Sequence, residues 1–121
     1  MAKIVIVEND KDIAPLLQQL LGLEGHTTVL VDDPQEAVAT IQREMPALVY
    51  LDVRLTEEID GFDVLEEMQA TMDTEVPVLM CSGLDVEDEC LRAGASAFML
   101  KPFDFNDLLE SMKRALQGAK L

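Results

Sequence analysis

Five short apolar runs, separated by segments of helical periodicity, constrain the fold of this sequence most strongly. The runs cover residues 4–7, 29–31, 47–51, 76–81 and 97–100. Several are β-branched and continuous rather than alternating, which is typical of strands covered on both faces. Strands that alternate with helices predict a parallel sheet, and right-handed crossovers make a doubly wound α/β fold the natural arrangement. At 121 residues, the chain has the size of one domain.

The segments between the runs predict amphipathic helices. The first has an apolar face formed by Ile13, Leu16, Leu17, Leu20 and Leu21. Shorter faces are formed by Val38, Ile41 and Met45, by Val64, Leu65, Met68 and Met72, and by Leu108, Leu109, Met112 and Leu116. Asp33, Asp85 and Asp104 are predicted to begin helices, and Gly94 to end the fourth one.

The charge of the chain limits its partners. Acidic residues outnumber basic ones 24 to 9, which gives a formal net charge of -15. Such a surface repels phosphate backbones and anionic lipids, so we expect no direct contact with nucleic acid or membrane. Cys81 and Cys90 match no zinc or redox spacing and are expected to be buried thiols. Together with the lack of a signal peptide or apolar span, they predict a cytoplasmic protein.

Polar side chains follow all five predicted strands, and those after the second, Asp32 and Asp33, are assigned to capping a helix. Those that follow the other four are Glu8, Asn9 and Asp10 after the first strand, Asp52 after the third, Ser82 with Gly83 after the fourth, and Lys101 after the fifth. Ligands of open α/β sheets bind beyond these carboxyl ends. The carboxylate and amide oxygens are ligands that suit Mg²⁺. An ammonium and a hydroxyl beside a carboxylate also suit a phosphoryl group, which an Asp can accept. Taken singly, each residue is also explained as a helix cap, a turn residue or a surface lysine. The occurrence of all of them at one edge of the sheet favours a binding site.

Six motifs in fixed order identify a family. They are IVIVEND at 4–10, LVYLD at 48–52, DGF at 60–62, VPVLMCSG at 76–83, AGA at 93–95 and KPF at 101–103. With these motifs the chain resembles a two-component response-regulator receiver domain, of the single-domain, chemotaxis-regulator-like kind. The resemblance implies a flavodoxin-like (βα)₅ fold with strand order 2-1-3-4-5. It also implies that residues 1–121 form one receiver domain, with no output domain in this chain.

The resemblance further implies a role for each matching residue. Asp52 would accept a phosphoryl group from a histidine kinase or phosphotransfer protein, and Phe98 would be a switch aromatic or else a plain core residue. The phosphoryl group would contact Lys101, Ser82 and the Gly83 backbone, whereas Mg²⁺ would be held by Glu8, Asn9, Asp52 and the Arg54 backbone carbonyl. The bond between Lys101 and Pro102 would be cis. The protein would signal to a separate downstream partner and assist its own phosphorylation and dephosphorylation, without being a metabolic enzyme.

Two departures from the family pattern support an alternative. Asn9 stands where a second acid is usual, which removes a negative charge and is expected to weaken Mg²⁺ binding by ~1–2 kcal/mol unless Asp10 compensates. The fourth helix, predicted over residues 85–92, is short. Both departures motivate a phosphorylation-independent pseudo-receiver, an acidic docking module, whereas the intact Asp52, Ser82 and Lys101 argue against it. Arg54 either reaches the phosphoryl group or pairs with Glu57 or Glu58. A small-molecule enzyme ranks last, because the sequence has no glycine-rich phosphate loop or nucleophile elbow.

Overall fold

A computed structural model describes residues 2–118. The strands are β1 (Lys3–Val7), β2 (Thr27–Val31), β3 (Leu48–Asp52), β4 (Val78–Ser82) and β5 (Ala97–Leu100). The helices are α1 (Ile13–Leu23), α2 (Ala37–Glu44), α3 (Gly61–Thr71), α4 (Glu87–Ala93) and α5 (Phe105–Gly118). All strand pairs are parallel, in the order β2-β1-β3-β4-β5, which confirms the predicted fold and strand order. Between residues 2 and 118, no helix is long and apolar enough to cross a membrane.

The sheet separates two hydrophobic cores, because side chains of successive strand residues point to opposite faces. One core lies under α1 and α5 and includes Ile6, Tyr50 and Leu79. The other lies under α2, α3 and α4 and includes Val5 and Met80. Every residue of β3 and β4 is buried. This burial on both faces explains why the strands read as continuous apolar runs.

Capping residues begin and end several elements. The Asp33 carboxylate accepts a hydrogen bond from the Gln35 N–H (3.0 Å), but it begins a 3₁₀ turn at Pro34–Glu36 rather than α2 itself. Gly94 has a left-handed backbone (φ 111°) and ends α4 as predicted. A capping box between Asp60 and Asp63 begins α3, a start that the sequence analysis did not predict.

The predicted start of α4 is wrong by two residues. The helix is preceded by Val86, which makes no side-chain capping bond. Asp85 instead accepts a long hydrogen bond from the Glu87 N–H (3.4 Å), two residues ahead. This is the geometry of a local Asx turn, in which the side chain competes with helix formation.

Two apolar residues placed on buried helix faces are in fact exposed. Leu16 on α1 is 52% exposed, because the buried residues Ala14, Leu17 and Leu21 form the inner face of that helix. Met45 is 62% exposed and ends α2 with a left-handed backbone (φ 48°), so it lies outside the helical periodicity. A further difference concerns β4, which begins at Val78 and not at residue 76.

Candidate functional site

The carboxyl ends of β1, β3 and β5 bring three charged side chains together. Lys101 Nζ donates hydrogen bonds to Glu8 Oε1 (2.8 Å) and to Asp52 Oδ2 (3.2 Å). Both carboxylates are almost completely buried, each with 6% of the residue exposed. A single ammonium therefore bridges two buried carboxylates at the edge of the sheet where ligands of this fold class bind.

The chain after Asp52 is held tightly against the sheet. The Val53 N–H donates to the Cys81 carbonyl (2.9 Å), and the Gly61 N–H donates to the Val53 carbonyl (2.7 Å). A Cβ at Gly61 would collide with the backbone carbonyl oxygen of Asp52. A glycine at the start of α3 thus allows that helix to approach β3 closely, and the approach fixes the backbone that carries Asp52.

Glu8 accepts hydrogen bonds on both of its carboxylate oxygens. The Asp10 N–H donates to Oε2 (3.1 Å), and the Tyr50 hydroxyl donates to Oε1 (3.2 Å), which also accepts from Lys101. Tyr50 is completely buried, and burial raises the pKa of its phenol far above the ordinary value, so the phenol stays protonated and is a donor. Tyr50 was not among the site residues predicted from the sequence. A phenol in an otherwise apolar strand, two residues before Asp52 and so on the same face, was the available signal.

Burial and mutual repulsion separate the acidities of the two carboxyl groups. Burial, with the hydrogen bond and charge of Glu8, raises the pKa of Asp52 to about 7, against the opposing effect of Lys101. Burial also acts to raise the pKa of Glu8, but hydrogen bonds with Asp52, Lys101 and the Asp10 backbone outweigh it, and the net pKa is lowered. The pKa of Lys101 is raised, because its anionic neighbours outweigh desolvation. Glu8 and Lys101 are therefore charged near neutral pH, and Asp52 titrates there.

A buried thiol lies beside the carboxylates. Cys81 pairs with Asp52 in the register of β3 and β4, and its Sγ lies within 4.8 Å of oxygens of Glu8 and Asp52. Burial raises the pKa of the Cys81 thiol far above its usual range, so it remains protonated and unreactive. Cys81 and Cys90 are both free and buried, as expected. The two carboxylates supply the hard oxygen ligands that suit Mg²⁺, which a thiol does not.

The two residues after Glu8 differ in their contacts, and Asp10 takes the cap role that was one of its predicted alternatives. Asn9 is exposed at the end of β1. Asp10 uses Oδ1 to accept hydrogen bonds from the N–H groups of Asp12 (2.8 Å) and Ile13 (3.2 Å), at the start of α1. Asp10 thus caps the start of α1, and among residues 2–118 it is not part of the cluster that Glu8 and Asp52 form.

The residues after β3 and β4 line the same sheet edge. Ser82 is buried, and its Oγ accepts a hydrogen bond from the Leu84 N–H (3.1 Å); Gly83, next to it, is exposed. Arg54 is exposed, and within the described residues 2–118 it forms no ion pair with Glu57 or Glu58. The second of the two predictions for Arg54, pairing with a loop acid, therefore has no support in the structure.

Phe98 lies within β5, and Pro102 lies two residues after the end of that strand. Phe98 is partly buried and packs against the core under α2, α3 and α4. It pairs with Met80 in the register of β4 and β5. Partial burial fits both interpretations of Phe98, a core aromatic and a switch. The bond between Lys101 and Pro102 is cis, as predicted.

Comparisons with known proteins agree with this arrangement. The family model for the response regulator receiver domain matches residues 4–113. The transcriptional regulatory protein ZraR of Salmonella typhimurium is 33% identical over 116 residues, which are 93% of this chain and 26% of ZraR. The response regulator MprA of Mycobacterium ulcerans is 31% identical, over 98% of this chain and 52% of MprA.

A solved structure gives the same result. The BeF₃-activated N-terminal receiver domain of Klebsiella pneumoniae RstA superposes with a TM-score of 0.85 at 29% identity, covering 94% of this chain and 97% of that domain. This chain thus spans only part of the two curated relatives but nearly all of an isolated receiver domain. Its matched residues 4–113, its strand order and its similarity to solved receiver domains place the chain in the response regulator receiver domain family of two-component signalling.

Proposed function

We propose that this receiver domain accepts a phosphoryl group on Asp52 from the phosphohistidine of a histidine kinase or phosphotransfer protein. The observation that carries the proposal is the bridge of Lys101 between Glu8 and Asp52, buried at the carboxyl edge of the sheet. A carboxylate in such a place is a nucleophile with an adjacent cation to stabilise the charge of the transferred group. When Asp52 is ionised, the two carboxylates of Glu8 and Asp52 and the ammonium of Lys101 together carry one net negative charge.

In the proposed transfer, the bond that forms at Asp52 replaces the bond that breaks at the donor histidine. An Asp52 carboxylate oxygen forms the bond to phosphorus while the bond between phosphorus and the donor histidine nitrogen breaks, and the electron pair leaves on that imidazole. Lys101 turns from the Asp52 carboxylate to a phosphoryl oxygen. Ser82 donates its hydroxyl to another phosphoryl oxygen, with the Gly83 N–H beside it. The same residues assist hydrolysis of the acyl phosphate, so the protein is a self-assisting phosphoacceptor and not a metabolic enzyme.

The donor set fits a magnesium ion. Glu8 and Asp52 offer buried carboxylate oxygens. The Asn9 amide and the Arg54 backbone carbonyl would be the further oxygen ligands. When bound, Mg²⁺ neutralises charge on the phosphoryl oxygens. Asn9 supplies an oxygen without a charge, and Asp10 is turned toward α1, so we expect weaker Mg²⁺ binding than two strand-end acids would give.

The phosphorylated pocket signals through the elements beside it. The phosphoryl group adds roughly 1.5–2 negative charges. Ser82 at the end of β4 moves toward it, Phe98 changes its packing, and the segment from β4 to α4 is biased between two arrangements. A separate downstream protein in the cytoplasm reads that surface. The charge of -15 disfavours direct contact of this domain with nucleic acid.

Titration with Mg²⁺, with and without beryllofluoride as a phosphoryl analogue, tests the proposal. Tyr50 is the one tyrosine of a chain without tryptophan, so tyrosine fluorescence reports on the pocket itself. We expect a saturable change with Mg²⁺ and beryllofluoride together, and loss of the beryllofluoride response in Asp52→Asn. A wild-type protein that responds to neither would favour the phosphorylation-independent docking module, which the exposed Asn9 motivates.

A further inference from the structure

Tyr50 occupies a position where a phenol has no packing advantage. Its ring lies in the core under α1 and α5, beside Leu48 and Leu79, and the residue is 0% exposed. A buried hydroxyl is costly unless it is hydrogen-bonded, so an apolar side chain would fill this space at lower cost. The Tyr50 hydroxyl meets this requirement by donating to Glu8 Oε1 at 3.2 Å. The placement therefore points to Glu8 as the reason for a tyrosine here.

Among the side chains of residues 2–118 that donate to Glu8, Tyr50 is the one that is not shared with Asp52. The Cys81 thiol also lies within hydrogen-bonding reach of the Tyr50 hydroxyl. Lys101 also donates to Glu8 Oε1, at 2.8 Å, but it is shared with Asp52 at 3.2 Å. The third donor, the Asp10 N–H, binds the other oxygen, Oε2. If Lys101 turned toward a phosphoryl group on Asp52, Tyr50 would be the side-chain donor left to Oε1.

We propose that Tyr50 is a positioning residue that holds the Glu8 carboxylate in place for the cation, including while Lys101 is engaged by the phosphoryl group. This inference rests on the proposed function, because it concerns the same pocket. Asn9 is neutral, and the Asp10 carboxylate is bound to the start of α1. Among residues 2–118, Glu8 is then the carboxylate following β1 that lies in the cluster with Asp52, so its orientation determines much of the Mg²⁺ affinity. A partner that orients a metal ligand in this way typically changes affinity by about 10–100-fold when removed.

Tyr50→Phe tests the proposal, since it removes only the hydroxyl. We expect the Mg²⁺ dissociation constant, measured by titration calorimetry, to rise about 10-fold. The maximal rate of phosphorylation by acetyl phosphate at saturating Mg²⁺ should stay close to that of the wild type. Leu79→Val is the matched control, because Leu79 is the register partner of Tyr50 in the same core and an apolar side chain that donates no hydrogen bond to Glu8. It should leave Mg²⁺ binding unchanged.

A second measurement does not depend on the folding of Tyr50→Phe. The near-ultraviolet absorption of the sole tyrosine reports its hydrogen bond, and in Glu8→Gln we expect that band to move to shorter wavelength as the charged acceptor is lost. Wild-type Mg²⁺ affinity in a folded Tyr50→Phe, or an unmoved band in Glu8→Gln, would overturn the positioning role alone. A wild-type protein that binds no Mg²⁺ would overturn the proposed function together with it.

Discussion

Asp52 is a carboxyl group whose ionisation opposes folding. Its pKa is raised to about 7 in the folded protein, by burial first and by Glu8 next, from the ordinary value of 3.8. A group with a raised folded pKa contributes stability that is full below the unfolded pKa and lost as pH rises through the folded one. Ionisation of Asp52 therefore lowers the free energy of unfolding at neutral and alkaline pH.

Asp52→Asn should remove this pH dependence, because the amide resembles the protonated acid. We expect the variant and the wild type to have similar free energies of unfolding at about pH 3.5, below the ordinary pKa of 3.8. By pH 8 the variant should be more stable by about 2–4 kcal/mol, the upper value being the full shift at ~1.36 kcal/mol per unit. Urea unfolding at several pH values measures the difference. Glu66→Gln, an exposed site on α3, controls for loss of one charge. An Asp52→Asn advantage that shrinks with rising pH would contradict the account.

At the scale of elements, the approach of α3 to β3 depends on the absence of a side chain at residue 61. A Cβ there would overlap the Asp52 carbonyl oxygen and crowd Val53. We expect Gly61→Ala to destabilise the fold by about 2–4 kcal/mol through overpacking of backbone against backbone. Gly22→Ala in α1 is the control, because a Cβ there meets nothing within 4 Å, and alanine should stabilise that helix by about 0.5–1 kcal/mol. Equal effects of the two substitutions in denaturant unfolding would contradict this packing.

The helix α4 is the least anchored of the helices that flank the site. It spans Glu87–Ala93, has no side-chain cap, and buries only Cys90, whereas α5 buries four residues. Local opening costs least where few side chains are buried. Amide hydrogen exchange should therefore be at least about 10-fold faster in α4 than in the middle of α5. Equal protection of the two helices would mean that α4 is not the mobile element beside Ser82.

At the scale of the whole molecule, self-repulsion acts on a chain with a net charge of -15. Salt screens this repulsion over roughly 8–10 Å at physiological ionic strength. Raising NaCl from low to near-molar concentration should increase the free energy of unfolding by about 1 kcal/mol or more. MgCl₂ at matched ionic strength should stabilise the wild type further, and this excess should be reduced in Glu8→Gln. An identical effect of the two salts on the wild type would argue against a specific cation site.

Periodicity predicted the fold, and strand ends predicted where the charged residues meet. Lys101 lies 49 residues beyond Asp52 in the chain, yet both follow buried strands of one parallel sheet, so topology alone brought them together. The contribution of Tyr50 was not predicted, because a tyrosine within an apolar run is typical of a core residue. The acceptor of its hydroxyl, Glu8, is 42 residues away in the chain and is identified only by the structure. The start of α4 was also beyond sequence patterns, since it depends on a local hydrogen bond that Asp85 accepts from the Glu87 N–H.

The central claim is that Asp52 accepts a phosphoryl group in a cation-dependent pocket. Intact mass spectrometry after incubation with acetyl phosphate and Mg²⁺ tests it most directly, with Asp52→Asn in parallel. The account predicts one phosphoryl adduct on the wild type, lost when Mg²⁺ is chelated, and none on the variant. A folded wild-type protein without an adduct at high Mg²⁺, or an equal adduct on Asp52→Asn, would contradict it.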